Sequence, residues 1–393
     1  MVWRRGGAAV MRNLSTLQSG GLPPVIACTD AGLAEGEIDL LNHDAPAFTS
    51  EQAAELARDI YGITGVVHKL SAEKDANFQI SLPSGEAALL KITNAAEDCG
   101  VTDMQTAALM HLMAVDSTLP VPHVCQTLTG QASQIIAGPP GKNADQNLGQ
   151  HHVVRLLTYL EGTVLSTVVD GVALHRDIGA LLARLTRALR GFFHPAAGHV
   201  LQWDIKQAHR LRPMLDAVED TDLRHRLTHL LDRFDTEIAP RLTNLRAQIV
   251  HNDFNPHNLL VDSPQATRLT GIIDFGDMVH TPLICDLAVA CSYQIAAQPQ
   301  PMAHIAKMIE GYTSILPLEQ AELELLPDLM RLRHATTLTI GAWRARRYPE
   351  NATYIRRNTD ASLRGLNALD RLGTAAAVDA LRIAAHPLKE QSQ

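Results

Sequence analysis

Aromatic side chains are scarce in this sequence, at 4% of 393 residues. Sandwiches and barrels use aromatic and β-branched residues to fill their inner faces, so an all-β fold is not expected and helices packed by Leu and Ala are. Cysteine is also sparse and odd in number, with Cys28, Cys99, Cys125, Cys285 and Cys291 forming no C-x-x-C pair. That pattern reads as structural thiols in a reducing compartment. No apolar run reaches the roughly 18 residues of a membrane span, and the first ten residues lack a secretory core, so a cytoplasmic location and no membrane partner are expected. Basic charge is not in excess either, with 34 Lys and Arg against 42 Asp and Glu and a net charge of −8. Binding to a phosphate backbone demands a basic surface, so a nucleic-acid polymer is not an expected partner.

What the chain does have is core material, with 46% hydrophobic against 19% charged residues. At roughly 100–200 residues per domain its length makes about two structural units. Residues 1–45 contain Gly20-Gly21 and Pro23-Pro24 without a sustained period and read as a flexible leader. Order is expected from Thr49, where Thr49-x-x-Gln52 is a capping-box pattern and Ala53, Leu56, Ala57 and Ile60 recur at helical spacing up to Gly62. Val66–Leu70, Phe78–Leu82 and Ala87–Ile92 read as strands of a small antiparallel sheet, the last two joined by Pro83-Ser84-Gly85. A helix is expected over Asp103–Val115, with Met104, Ala107, Ala108, Leu112 and Val115 on one face. Strands are expected at Gln134–Ala137 and Val153–Tyr159, around a loop over Gly138–Gly149. Beyond Glu161-Gly162 the period turns helical, over Val172–Phe193, Ile205–Phe234, Leu283–Ile295, His304–Thr313, Glu319–Ala345 and Asn351–Leu372. The expected fold class is α+β, with a sheet-containing lobe over 46–159, a mainly helical lobe over 160–375, a tail over 376–393 and a ligand cleft between the lobes.

One β-like island, Gln248–Val250, Leu259–Val261 and Leu269–Ile273, interrupts the helices. It carries His251-Asn252-Asp253-Phe254-Asn255-Pro256-His257-Asn258 and, one strand later, Asp274-Phe275-Gly276-Asp277. Phosphoryl transfer needs a carboxylate to orient and deprotonate the attacking hydroxyl, with Asn and Asp oxygens to hold Mg²⁺ against the nucleotide phosphates. Asp253, Asn258 and Asp274 fit those three roles: the first two share a loop, and the third arrives at the end of the neighbouring strand.

His251-x-Asp253-x4-Asn258 followed by Ile273-Asp274-Phe275-Gly276-Asp277 resembles the catalytic loop and metal motif of the aminoglycoside phosphotransferase and choline kinase superfamily, which has a bilobal protein-kinase-like fold. The resemblance implies Asp253 as catalytic base, Asn258 and Asp274 as Mg²⁺ ligands, and His251 and Asp286 as braces of the loop. Lys91, in Ala88-Leu89-Leu90-Lys91-Ile92, takes the place of the strand lysine that pairs with nucleotide phosphates. Gln105 stands where a Glu usually orients that lysine, which turns attention to Glu97 and Asp103 and opens the alternative of a catalytically weak, nucleotide-binding pseudokinase. Ser71–Phe78 replaces a glycine-rich loop and offers Asn77 to the phosphates, while Arg155–Gly162 resembles the hinge, placing Leu157, Tyr159 and Leu160 around the base of GTP or ATP.

Three further stretches, Ala47-Phe48-Thr49, Lys74-Asp75-Ala76-Asn77-Phe78, and Ala342-Trp343-Arg344 with Tyr348-Pro349-Glu350-Asn351, are similar to the hydroxylysine kinase branch and to kinase modules fused to class III aminotransferases. That likeness implies a hydroxylated amine or amino acid as acceptor, 5-hydroxylysine above all, GTP as a favoured donor, and a link to a pyridoxal-phosphate phospholyase. Aminoglycosides, homoserine, choline and ethanolamine are the alternative acceptors. A cationic amine wants acidic or aromatic company and a carboxylate wants a cation, which makes Asp277, Trp203, Asp204, Trp343 and Arg344 candidate acceptor contacts. The acidic net charge suits a cationic acceptor.

Overall fold

Helix α1 (Ser50–Tyr61) starts where Thr49 Oγ1 accepts the Gln52 N–H at 3.2 Å and Gln52 Oε1 accepts the Thr49 N–H at 2.9 Å. It stops at Gly62, whose φ of 69° suits glycine. The computed structural model describes residues 46–386 except 73, 139–150, 169–171, 264, 266–267 and 296–299, so the expected leader and most of the expected 138–149 loop lie outside the described residues. Strands β1 (Val66–Leu70), β2 (Ala76–Ser81), β3 (Ala87–Ile92), β4 (Val124–Cys125), β5 (Gln134–Ala137) and β6 (His151–Thr158) form an antiparallel sheet in the order β1-β2-β3-β6-β4, with β5 also paired to β6. Cross-strand register puts Phe78, Leu90 and Leu156 in one row and Asn77, Lys91 and Arg155 in the next. Successive side chains leave a strand on opposite faces. The first row therefore joins the core with Ala53, Ala57 and Tyr61 of α1, while the second row emerges on the other face. There Arg155 donates to Thr102 O and Thr106 Oγ1 of helix α2 (Cys99–Val115), at 3.5 and 3.4 Å. Val115, expected on the buried face of α2, is exposed because the buried stripe ends at Leu112, about one turn before the helix does.

These elements make one compact unit, 46–113 with 122–160. Residues 114–121 group instead with 161–386 in a second unit, so the lobe expected over 46–159 loses that segment. Pro120 O accepts the Ile272 N–H at 2.7 Å and Asp116 pairs with Arg184 at 2.9 Å. The longer helices among the described residues of the second unit are α3 (Val172–Ala188), α4 (Thr221–Arg233), α5 (Leu283–Ile295), α6 (Ala303–Thr313), α7 (Gln320–Arg347), α8 (Thr359–Leu372) and α9 (Thr374–Ala385). Two expected long helices are broken. Ile205–Ala217 is a 3-10 segment containing Pro213, and α4 starts afresh where Asp220 accepts the Leu223 N–H at 2.9 Å. The expected Asn351–Leu372 helix is continuous only from Thr359, after short turns at Pro349–Asn351 and Arg356–Asn358. Residues expected as a tail from 376 instead continue in α9, where Ala377, Val378, Leu381 and Ala384 are buried at helical spacing. Among the described residues no helix is long and apolar enough to cross a membrane.

The β island resolves into two small sheets. β8 (Ala247–Val250) pairs with β11 (Val279–Pro282), while β9 (Leu259–Val261) pairs with both β10 (Leu269–Ile272) and β7 (Thr163–Val164). The loop that carries Asp253 therefore joins one sheet to the other.

Helix α7 is buried nearly all round, polar residues included. One of them, His334, lies so close to α8 that a Cβ on Gly365 would stand 2.4 Å from its Nε2. Burial, reinforced by Arg333, pushes the His334 imidazole from 6.5 down to about 3. The folded chain then binds fewer protons than the unfolded one between those values, so this contribution to stability is complete above about pH 6.5 and is lost as pH falls toward 3. Thermal unfolding of His334→Leu across pH 4–7 should show a slope shallower than wild type by up to about 1.4 kcal/mol per pH unit, and an unchanged slope would refute the assignment.

Candidate active site

The segment after β8 runs through left-handed backbone at Asn252, with φ 63°, and the segment after β10 does so at Asp274, with φ 59°. Asn and Asp tolerate this region better than bulkier residues, but it still has to be held. Asp286, near the start of α5, accepts the Asn252 N–H at 2.8 Å through Oδ1, and Asp274 Oδ1 accepts the Gly276 N–H at 3.3 Å. Burial pushes the Asp286 carboxyl up to about 7. His251 ties the two segments together, its Nδ1 accepting the Asp253 N–H at 3.3 Å and its Nε2 donating to Ile273 O at 3.1 Å. Those two bonds require the neutral tautomer, which burial also favours by lowering the imidazole pKa.

Asp253 sits at the centre of this loop. Oδ1 accepts from Asn255 Nδ2 at 2.8 Å and from Arg333 Nη2 at 2.9 Å, and Oδ2 accepts from Asn258 Nδ2 at 2.7 Å. Burial pushes its carboxyl up to about 7; Arg333 opposes the rise, while Asp277 and Asp274 add to it. A carboxylate fixed at both oxygens and ionising near neutrality is suited to taking a proton from a hydroxyl.

The oxygens beside it suit a hard cation. Asn258 Nδ2 donates both to Asp253 Oδ2 and to Asp253 O at 3.0 Å, which leaves its amide oxygen to act as an acceptor. Asn258 O accepts the Ile273 N–H at 2.9 Å, so the β9–β10 pair brings Asp274 alongside. Mg²⁺ prefers one or two such protein oxygens, completed by water and phosphate. No group of three His, Cys, Asp or Glu among the described residues is arranged to hold a metal by itself.

In the first unit Lys91 Nζ lies 3.6 Å from Asp75 Oδ2. Gln105 donates to Glu97 Oε1 at 3.2 Å, and Lys74 Nζ approaches the same carboxylate at 3.9 Å. Burial raises the Glu97 pKa, with Lys74 the largest opposing influence and Lys91 among the others. Gln105 thus brings a carboxylate into this cluster although it carries none. Asn77 lies directly across β2–β3 from Lys91, and its Oδ1 is buried without a hydrogen-bond partner. Leu157 is buried in β6, while Tyr159 and Leu160 follow the strand partly exposed.

Residues 66–318 match the phosphotransferase enzyme family abbreviated APH. The chain belongs to this family. Hydroxylysine kinase of Danio rerio is 29% identical over 339 residues, covering 84% of this chain and 93% of that kinase. The solved structure of amicoumacin kinase hAmiN in complex with AMP-PNP, Ca²⁺ and Ami aligns with a TM-score of 0.59 at 16% identity, over 80% of this chain and 93% of that one. A microcompartment-associated aminopropanol kinase aligns at 0.58 and 18%, over 84% and 99%. These two likenesses establish the α+β, protein-kinase-like fold. The expected phospholyase link gains no support from these relatives.

The candidate acceptor contacts of this phosphotransferase divide. Trp203 comes to the loop through Arg333, whose guanidinium stands 5.3 Å from the indole ring centroid and donates to Trp203 O at 3.2 Å. Asp277 adds negative field at Asp253 from the Phe275–Asp277 turn. Asp204 has a different use: it is buried, and its Oδ1 accepts from Lys206 N and Thr281 Oγ1 at 3.0 and 2.9 Å, capping the 3-10 segment. Arg344 lies eleven residues beyond Arg333, about 16 Å along α7. Trp343 beside it has the Arg347 guanidinium 5.8 Å from its ring. Sequence reasoning missed Arg333, which is buried, reaches Asp253 and is flanked by Trp203 and Tyr293.

Proposed function

We propose that the protein is a cytoplasmic, Mg²⁺-dependent small-molecule kinase that transfers the γ-phosphate of GTP or ATP to a hydroxyl of an amino acid or amino alcohol, with 5-hydroxylysine as the preferred acceptor. The observation that carries the proposal is the Asp253 carboxylate, held by Arg333 and Asn255 on one oxygen and by Asn258 on the other. Similarity to hydroxylysine kinase over 84% of the chain supports the acceptor class.

In this reading Asp253 orients the acceptor hydroxyl and receives its proton as the acceptor oxygen bonds to the γ-phosphorus and the β–γ bridging bond breaks, releasing the nucleoside diphosphate. Asn258 and Asp274 hold the divalent ion, which when bound neutralises charge on the phosphates. Lys91 pairs with the phosphates, Asn77 adds a polar contact, and Leu157, Tyr159 and Leu160 flank the base. His251 and Asp286 keep the loop in shape. Asp75, 3.6 Å from Lys91, supplies the carboxylate that a lysine–glutamate pair otherwise provides, with Glu97 held nearby by Gln105 and Lys74, which favours an active enzyme over a pseudokinase.

The test is a coupled assay with ATP and GTP over 5-hydroxylysine, homoserine, ethanolamine, choline, 1-amino-2-propanol and an aminoglycoside. 5-Hydroxylysine is expected to exceed the others in kcat/KM by at least about tenfold, the discrimination that one well-made polar contact supplies. Turnover of none of them would reject the kinase reading, and a clear preference for another would replace the acceptor.

A further inference from the structure

The second unit carries a small cleft, about 280 Å³ including its mouth, lined by Ser292 and Tyr293 of α5, His334 and Thr337 of α7, Asn358, and Ser362 of α8. Two of these residues touch the groups around the base. Tyr293 Oη accepts from Arg333 Nη2 at 3.4 Å, and the same nitrogen holds Asp253. Asn358 hydrogen-bonds the side chain of His257, in the loop between Asp253 and Asn258. The cleft therefore abuts the catalytic loop from two sides, within this one unit.

Its chemistry selects what can enter. Ser292 donates its hydroxyl proton to Val289 O at 2.8 Å and Thr337 donates to Arg333 O at 3.1 Å, so both present lone pairs to the cleft. No Asp, Glu, Lys or Arg is in the lining. His334 is neutral at pH 7, with Nε2 buried and without a hydrogen-bond partner. A carboxylate or phosphate would find hydroxyl and amide donors but no cation among the lining residues. A primary ammonium brings three N–H donors to an acceptor-rich wall and is small enough for the space.

We infer that this cleft receives the acceptor's primary ammonium group, on the carbon beside the reacting hydroxyl, so that vicinal amino alcohols are the substrate class. The inference rests on the kinase reading and gives it a specificity site. Neutral oxygens hold the ammonium, and Tyr293 couples its position to the Arg333–Asp253 pair.

The test compares 5-hydroxylysine with 5-hydroxynorleucine, which lacks only the amine beside the hydroxyl, on wild type, Thr337→Val and Ser292→Ala. One hydrogen bond to a charged group is worth roughly tenfold or more in affinity. The acceptor KM for 5-hydroxylysine should rise by about that factor in each variant, with no matching rise for 5-hydroxynorleucine and an unchanged nucleotide KM. An equal rise for both acceptors, or no rise in either variant, would overturn the inference. Calorimetric binding of the same two compounds is read alongside and needs no turnover. If wild type phosphorylates neither compound, 5-hydroxylysine fails as the acceptor; amine-selective binding weakened by Thr337→Val then upholds the cleft, and its absence overturns the cleft as well.

Discussion

Replacing Asp253 with Asn should lower kcat by about 10²–10⁴, the contribution of a positioned general base, while nucleotide affinity stays near that of wild type. The substitution keeps the shape of the side chain and an oxygen to accept from Asn255 or Arg333, but removes the carboxylate proposed to take the acceptor's proton. The loop should survive, because its backbone is held elsewhere: Asp286 fixes Asn252, and His251 bridges Asp253 N–H to Ile273 O. Steady-state turnover with the best acceptor, read beside nucleotide binding by thermal shift, checks this. Wild-type turnover in the variant would remove Asp253 from the chemistry, and lost nucleotide binding would make its role structural.

Much of this site was legible because its signals are local. Thr49 and Gln52 cap α1 through bonds that span three residues, and Gly62 ends it through its own backbone. Asp253 and Asn258 sit five residues apart on one loop, and Asp274 follows after a single hairpin, so spacing alone carries the geometry. Lys91 was found as a lysine on a strand, but its partner Asp75 was not, because the pair depends on how the loop before β2 folds back rather than on any periodic pattern. Gln105 was legible as a departure; that it recruits Glu97, eight residues earlier, is a packing fact. Asp204 illustrates the opposite error. Beside a Trp it looks like a receptor for an amine, yet the start of a 3-10 segment needs a capping oxygen, and that local demand takes it.

Arg333 was invisible for a physical reason: it lies 80 residues after Asp253, in the middle of a 28-residue helix, with no local partner to mark it. A trace was present all the same. Between Arg331 and Thr339 the helix carries Arg331, Arg333, His334, Thr336, Thr337 and Thr339 with apolar residues on either side, and every one of them is buried. A polar run inside a helix that has no solvent face must be satisfied by neighbours, and such neighbours gather at sites.

The second large effect is therefore expected at Arg333. Its guanidinium is buried, bonded to Asp253 Oδ1, Trp203 O and Tyr293 Oη, and flanked by the Trp203 and Tyr293 rings at 5.3 and 5.8 Å. Arg333→Met keeps most of the side-chain length but strands a partly buried carboxylate, and breaking a buried pair from one side costs about 3–5 kcal/mol. The urea midpoint should fall accordingly, and kcat with it, because Oδ1 loses one of its two anchors. Arg333→Lys should restore only part of either, since one ammonium cannot reproduce three directed bonds and a flat face for the rings. The decisive measurement is the double variant. Once Asp253 is Asn no charge is left to strand, so adding Arg333→Met should cost about 1–3 kcal/mol less than it does in wild type. Strict additivity would mean that Arg333 serves the packing of α7 alone and does not hold Asp253.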